Sequence, residues 1–490
     1  MAKKKSASKA RPKRASADLI YLNGIDPDTG HYAIPPMPID ELAKHVRAHP
    51  GEVPAANQRG KVPRAFAAQF GVDMTSISEV GWAIVFPEGC PKKIRDAMAP
   101  LIEHRRKQAK DLVKVLDYKK GEQTRDWYSR NRIAVGTFEA AKVPYYLLLA
   151  GPPTTIPFEF EYLISVEYAV GRLAFDTPSQ YAQYAEDVVA YETSKKVANA
   201  KEIVYWGTQH PGDPATELSA TMLIDPLANG VAGAAGSAKT PVHERVGYAR
   251  TLLSGKQAVR SALINTLHAK TPPAVLFTAS HGMAIKSGDK RQVTDNGALL
   301  SQDWQGFGGV NRTDYLAAAD IDDKANVRGL VAFLFACYGG GTPDTDQFVM
   351  DLADAGKAPP IAPEPFVAAL PSRLLAHPNG SALAVVGHVD RAWSFSIQPT
   401  NATESHIGPF YNGLCFVLSG CPVGHAIAQQ FGQKYAALSA ALLSAISPTT
   451  PSALRPPDRD LVNFWLERND AQNYVVLGDP AVRIRTDALA

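Results

Sequence analysis

The sequence lacks most of the features that would assign it at a glance. Only four of its 490 residues are cysteine (Cys90, Cys337, Cys415 and Cys421), and no two of them form a CxxC pair. That excludes a disulfide-framed scaffold and a zinc site built on paired thiolates, and the expected compartment is a reducing cytosol. No uninterrupted apolar run of about 18 residues occurs, so no membrane span is expected. The basic N-terminal stretch is not followed by an apolar core and so does not read as a secretory signal. There is no G-x-S-x-G elbow, no H-E-x-x-H helix and no Walker A loop. His243-Glu244 has no second histidine at the required offset, and Gly306-Phe307-Gly308-Gly309 lacks the spacing of a dinucleotide fingerprint. Serine hydrolase, zinc hydrolase and nucleotide-binding classes are therefore disfavoured, and no cofactor is implied. Internal repeats of solenoid or propeller period are also missing.

What is present belongs to a globular chain. Hydrophobic residues make up 45% and charged residues 20%, which suits a packed protein, and the length asks for two or three units. The 37 glycines and 37 prolines are dispersed and indicate loops between elements. Residues 1–17 carry seven Lys or Arg and no acid; with the whole chain at +3, the body is left at −4. That tail has too little apolar surface to fold and is expected to be a disordered, solubilising arm. No nucleic-acid partner is expected beyond weak contacts of this arm.

The body alternates strand-like and helix-like segments, the pattern of an α/β protein with a mainly parallel central sheet flanked by helices. Strands are expected at 18–23 (DLIYLN), 82–86, 145–150, 202–206, 274–278 (AVLFT), 330–336 (LVAFLFA) and 382–386 (ALAVV). The last three are apolar almost throughout, as strands buried on both faces should be. Helices are expected at 92–118, 179–197, 246–268, 425–446 and 460–468. Beyond the tail, an additional N-terminal α/β subdomain is expected over 18–200 and the catalytic subdomain over 201–490, with 229–242 a Gly/Ala-rich surface connection.

Two strand ends carry chemistry. AVLFTASHGM sets Ser280, His281 and Gly282 just past one buried strand, and LVAFLFACYGGG sets Cys337 just past another. Ligands of open parallel sheets bind beyond the carboxyl ends of the strands, so neighbouring strands would bring His281 and Cys337 together. A thiolate attacks only from a polar, accessible place, and a histidine in reach can take its proton and return it to a departing amine. The adjacent glycines let backbone N–H groups approach a substrate carbonyl. Singly, each feature has a plainer reading: a buried small residue, a turn, a flexible loop.

Together they resemble the caspase-like cysteine peptidases. The caspase pattern is Q-A-C-[RQG]-G with a histidine about 50 residues upstream. Here Phe335-Ala336-Cys337-Tyr338-Gly339 follows His281 by 56 positions (337 minus 281). The departures at Phe335 and Tyr338 remove any implication of strict aspartate specificity. The closer resemblance is to the gingipain-like branch. Residues 168–175 (YAVGRLAF), 382–393 (ALAVVGHVDRAW) and 473–484 (NYVVLGDPAVRI) carry it, and it spans about residues 140–490.

The resemblance implies a caspase-like fold and a cysteine endopeptidase with Cys337 as nucleophile and His281 as catalytic histidine. It implies an oxyanion hole from the amides of Gly282 and Cys337. Trp393 would line the P1 pocket and Ser394 would lie on the strand that pairs with an extended peptide substrate. Asp344, Asp346 and Asp390 could pair with a basic P1 side chain, and Arg391 equally with an acidic one; of these, Asp390 is expected to bind substrate together with Trp393 and Ser394. Asp344 and Asp346 as calcium ligands are the weaker option. The expected partners are a protein or peptide substrate and a regulatory protein. The competing reading is a catalytically idle caspase-like scaffold, which would be free to lose one member of the dyad.

Overall fold

All the expected apolar strands but the first assemble edge to edge in one sheet; of 18–23, Leu19–Ile20 pairs instead with Met37–Pro38 in a separate two-stranded sheet. The computed structural model describes residues 19–21, 24–48, 71–232, 239–348, 360–392, 397–398, 406–447 and 449–490. The basic arm expected at 1–17 lies outside them, as do Trp393 and Ser394. Ten strands form the sheet. The first five are β1 (Trp82–Pro87), β2 (Val113–Tyr118), β3 (Tyr146–Ala150), β4 (Ala169–Leu173) and β5 (Ala200–Gly207). The others are β6 (Ala249–Ser254), β7 (Pro273–Ala279), β8 (Val331–Phe335), β9 (Ala384–His388) and β10 (Tyr474–Gly478). Their order across the sheet is β6-β5-β7-β8-β9-β10-β4-β3-β1-β2.

The sheet has two parallel halves joined by one antiparallel seam. β6, β5, β7, β8 and β9 run one way; β10 is antiparallel to β9 and parallel to β4, and β3, β1 and β2 continue in its direction. The carboxyl ends of the two halves therefore lie at opposite edges. β7, β8 and β9 are buried along their whole length, which explains their unbroken apolar sequences. The sheet runs on through residue 200, so the two expected units share it.

Helices cover both halves. The longer ones are α1 (Ile39–Ala48), α2 (Ala99–Ala109), α3 (Pro178–Thr193), α4 (Gly408–Leu418), α5 (Gln433–Ile446) and α6 (Asp458–Asn473). α3 starts with a capping box in which Thr177 and Gln180 satisfy each other's backbone N–H groups. Two expected helices are corrected. The expected 92–118 helix ends at α2, where Lys110 turns to φ 50, and its last stretch is the edge strand β2. The expected 246–268 helix is broken by Gly247 at φ 72; edge strand β6 and a 3-10 turn at Gly255–Gln257 follow, and α-helix resumes only at Arg260–Leu267. In both places apolar residues at near-helical spacing lie on partly exposed edge strands, where periodicity alone separates the two forms poorly.

The Gly-Asp-Pro turn after β10 holds the layers together. Asp479 is fully buried and accepts from Trp82 Nε1 at 2.9 Å and from Arg105 Nη2 at 2.8 Å. Arg105, on α2, also donates to Glu192 on α3 at 2.7 and 2.8 Å. Burial alone would raise the Glu192 carboxyl, but the Arg105 charge and the hydrogen bonds from His104 and Arg105 hold it at about 2. Its folded value lies below the unfolded one, so this stabilisation is present above the ordinary carboxylate range. It is lost as pH falls from about 5 toward 2. Asp479→Ala leaves Trp82 Nε1 and one edge of the Arg105 guanidinium without an acceptor while Glu192 keeps the charge paired, and is expected to lower unfolding free energy by about 1–3 kcal/mol in urea. Lys92→Ala, which removes an exposed ion pair to Asp96, should change it by less than about 0.5 kcal/mol.

Candidate active site

β7 and β8 are parallel neighbours whose last paired residues are Ala279 and Phe335. The chain therefore leaves both strands at one level and on one side. Ser280 N donates to Phe335 O at 3.1 Å, and two residues on Gly282 lies against Cys337. The approach is backbone on backbone: a Cβ added at Gly282 would lie 1.8 Å from Cys337 O and 3.0 Å from Cys337 N. No other residue fits at 282 without parting the two strand exits. Among the sequence-selected residues, His281, Gly282 and Cys337 are thus brought together.

A third strand supplies a residue that the sequence reading missed. β5 neighbours β7, and the loop after it carries Asp213, the N-cap of the short helix Pro214–Ser219. His281 Nε2 donates to Asp213 Oδ2 at 2.7 Å, while the Thr216 hydroxyl and the hydroxyl of Tyr32 donate to the same carboxylate. Burial pushes the Asp213 carboxyl up, but the His281 charge and these hydrogen bonds more than offset it and hold it well below the usual range. An ionised acceptor at Nε2 fixes the imidazole tautomer and leaves Nδ1 as the basic nitrogen. The signal was available: Asp213-Pro214 is a helix-start pair just beyond a strand end.

The N-terminal segment closes the site. Ile25–Asp26 pairs with His31–Tyr32 as a short hairpin, and Ile25 also bridges Met283 in parallel. Ala284 N donates to Ile25 O at 3.0 Å and Val310 N to Pro27 O at 2.8 Å. Gly24 N faces His281 Nδ1 at 3.4 Å, and the Tyr32 ring stands edge-on to the imidazole with centroids 5.6 Å apart. A Cβ at Gly24 would lie 3.7 Å from Cys337 Sγ and 3.5 Å from Arg391 Nη1. Cys337 is wholly inaccessible, and burial pushes its thiol up to about 12 against the pull of the Arg391 charge and the Ala392 backbone. Its only described hydrogen bond is to Ala392 O at 3.9 Å.

The charged residues expected to read a substrate are mostly engaged with one another. Asp346 is buried and accepts from Arg391 Nε at 3.0 Å and Nη2 at 2.8 Å. Asp390 is fully buried at φ 76, takes Tyr338 N on its carbonyl at 2.6 Å and Gln347 N on its carboxylate at 2.9 Å. Burial first, and the nearby Asp346 charge second, raise the Asp390 carboxyl well above its ordinary value. Asp390 thus shapes the Tyr338 turn, itself at φ 58, from inside the protein. Arg391 Nη1 has no hydrogen-bond partner among the described residues and faces Gly24. Asp344 is exposed, and no cluster of three or more metal-ligating side chains occurs among the described residues.

The sequence matches peptidase family C25 over residues 83–485. Two solved structures are similar to the chain. One, described as "Complex of Porphyromonas gingivalis RgpB pro- and mature domains", has 11% identity and a TM-score of 0.42, covering 83% of this chain and 80% of that one. The other, described as "Structure of Protease", has 11% identity and a TM-score of 0.45, covering 82% and 78%. No curated protein sequence matches.

The burial of Cys337 can be read directly by thiol chemistry. In the intact native chain, iodoacetamide at pH 8 should modify the partly exposed Cys90 and Cys421 before Cys337. Deleting residues 1–33 should raise the Cys337 rate by about tenfold or more, followed by peptide mapping.

Proposed function

The chain belongs to peptidase family C25 and is a cysteine peptidase; from that premise we propose that Cys337 and His281 are its catalytic dyad, cutting internal bonds of protein substrates through an acyl-enzyme. The reading rests on one observation above the others: the exits of β7 and β8 lie in register, with Gly282 against the Cys337 backbone. In this mechanism His281 Nδ1 takes the thiol proton and Cys337 Sγ attacks the substrate carbonyl carbon. The amides of Gly282 and Cys337 are the donors for the developing oxyanion. His281 then delivers the proton to the departing amine, and water, deprotonated by the same nitrogen, hydrolyses the thioester.

Asp213 is the positioning residue. Its carboxylate accepts from Nε2 at 2.7 Å, keeps the basic lone pair on Nδ1 and stabilises the imidazolium formed in each half-reaction. With residues 24–33 in place a thiol pushed up to about 12 is protonated at neutral pH, so turnover begins only when that segment leaves. This closed, protonated cysteine is also the observation that favours the idle scaffold as the second reading. A reducing cytosol suits the four unpaired cysteines, and a regulatory partner protein would act by displacing the hairpin.

Fluorogenic peptide cleavage by the full chain and by residues 34–490 tests the reading. Cys337→Ala and His281→Ala should abolish turnover, and Asp213→Ala should lower kcat by about 10²–10⁴-fold. Cleavage that survives Cys337→Ala would rule the dyad out, and absence of turnover in both wild-type forms would favour the scaffold.

A further inference from the structure

We propose that Arg391 is the specificity residue of this site and that it selects peptides with an acidic side chain, Asp or Glu, on the acyl side of the cut bond. The inference rests on the cysteine peptidase reading and adds the chemical class of the substrate.

The nucleophile sits between two walls. β8 pairs with β7 on one side and β9 on the other, so the exit carrying Cys337 has the His281 exit to one side and residues 389–392 to the other. That second wall is close: Tyr338 N donates to Asp390 O at 2.6 Å, and Cys337 Sγ lies 3.9 Å from Ala392 O. His281 hands its proton to the departing amine, so the leaving half of a substrate belongs on the histidine side. The acyl half stays bonded to Sγ and is left to the wall that carries Arg391.

Arg391 is 4% exposed and held in one orientation. Its Nε and Nη2 both donate to Asp346 Oδ2, at 3.0 and 2.8 Å, and Asp346 Oδ1 also accepts from Phe348 N at 2.9 Å. The opposite corner of the guanidinium, Nη1, has no hydrogen-bond partner among the described residues. It lies 3.5 Å from the Cβ position of Gly24, and Cys337 Sγ lies 3.7 Å from the same point. The free corner and the sulfur are therefore no more than 7.2 Å apart (3.5 plus 3.7). In an acyl-enzyme an aspartyl carboxylate reaches about 5 Å from the sulfur, and a charge-assisted hydrogen bond of about 2.8 Å spans the rest.

An orphaned buried donor is costly, and a substrate carboxylate satisfies it. A lysine or arginine in the same place would set a like charge against the guanidinium. The neighbouring acid offers such a side chain little. Asp390 Oδ1 is unpartnered among the described residues, but burial and the Asp346 charge raise that carboxyl well above its ordinary value, which disfavours the anion a basic side chain needs.

The full chain is incubated with peptidyl acyloxymethyl ketones, which alkylate a catalytic thiol and release a carboxylate. The reagents are identical except for Asp, Glu, Asn, Leu, Lys or Arg beside the reactive carbonyl, and modification of Cys337 is timed by peptide mapping. Closure of the site by residues 24–33 lowers every rate by one factor, so the ratios remain. The Asp or Glu reagent should act about tenfold or more faster than the Asn one, and about a hundredfold or more faster than the Lys and Arg ones. In the double variant Asp346→Asn/Arg391→Gln, which removes both charges of the buried pair together, the Asp to Asn ratio should fall to about one. If that variant does not fold, the wild-type ratios decide alone. Equal rates, faster modification by the Leu, Lys or Arg reagent, or a ratio that survives in the folded double variant would overturn the proposal and leave the peptidase reading standing. If no reagent modifies Cys337 in the wild type, the peptidase reading falls and this proposal with it.

Discussion

The contact on which the site depends is between two backbones. Gly282 lies so close to Cys337 that a single added carbon would overlap the cysteine carbonyl at 1.8 Å. That closeness follows from the parallel pairing of β7 and β8 in register to their last residues, Ala279 and Phe335. Strands buried on both faces hold such a register firmly, because a slip of one residue would turn every side chain to the wrong face. The two strand exits are therefore mounted on strands buried along their whole length.

Charge complements this steric constraint at two buried places. Asp479 links β10 to Arg105 and Trp82, and through Arg105 to Glu192. Asp346 and Arg391 do the same beneath Cys337, where Tyr338 and Asp390 adopt positive φ. Strained turns of this kind persist only where surrounding bonds over-determine them. The Asp390 carbonyl on Tyr338 N, at 2.6 Å, is one such bond.

The placement of His281 and Cys337 just past neighbouring buried strands was legible in the sequence, because each follows an unbroken apolar run, and buried strands and their exits are local properties. The Gly-Asp-Pro ending was legible as a motif, but its role in clasping α2 and α3 came only with tertiary contact. The edge strands β2 and β6 were hidden because half-exposed edges carry spacing close to that of a helix. Asp213 meets His281 across 68 positions of chain and Gly24 meets it across 257, and no local pattern encodes such meetings. Asp390 and Asp346 looked like loop acids because sequence does not reveal that a loop is buried. Trp393 and Ser394 lie outside the described residues and remain part of the proposed substrate cleft.

Closure centres on Gly24, whose N–H faces His281 Nδ1 at 3.4 Å and whose Cβ position lies 3.7 Å from Cys337 Sγ and 3.5 Å from Arg391 Nη1. Its removal would lower the thiol toward reactivity, since burial is the first cause of the raised value. The most direct measurement is a cross-link. In the full chain carrying Gly24→Cys, mild oxidation is predicted to form a disulfide between the new thiol and Cys337, because the Cβ at position 24 stands 3.7 Å from Cys337 Sγ. The bond should be seen by peptide mapping and be absent when Cys337 is also replaced by serine. A Cys337 that stays reduced and alkylates freely in that variant would contradict a dyad closed by its own N-terminal segment.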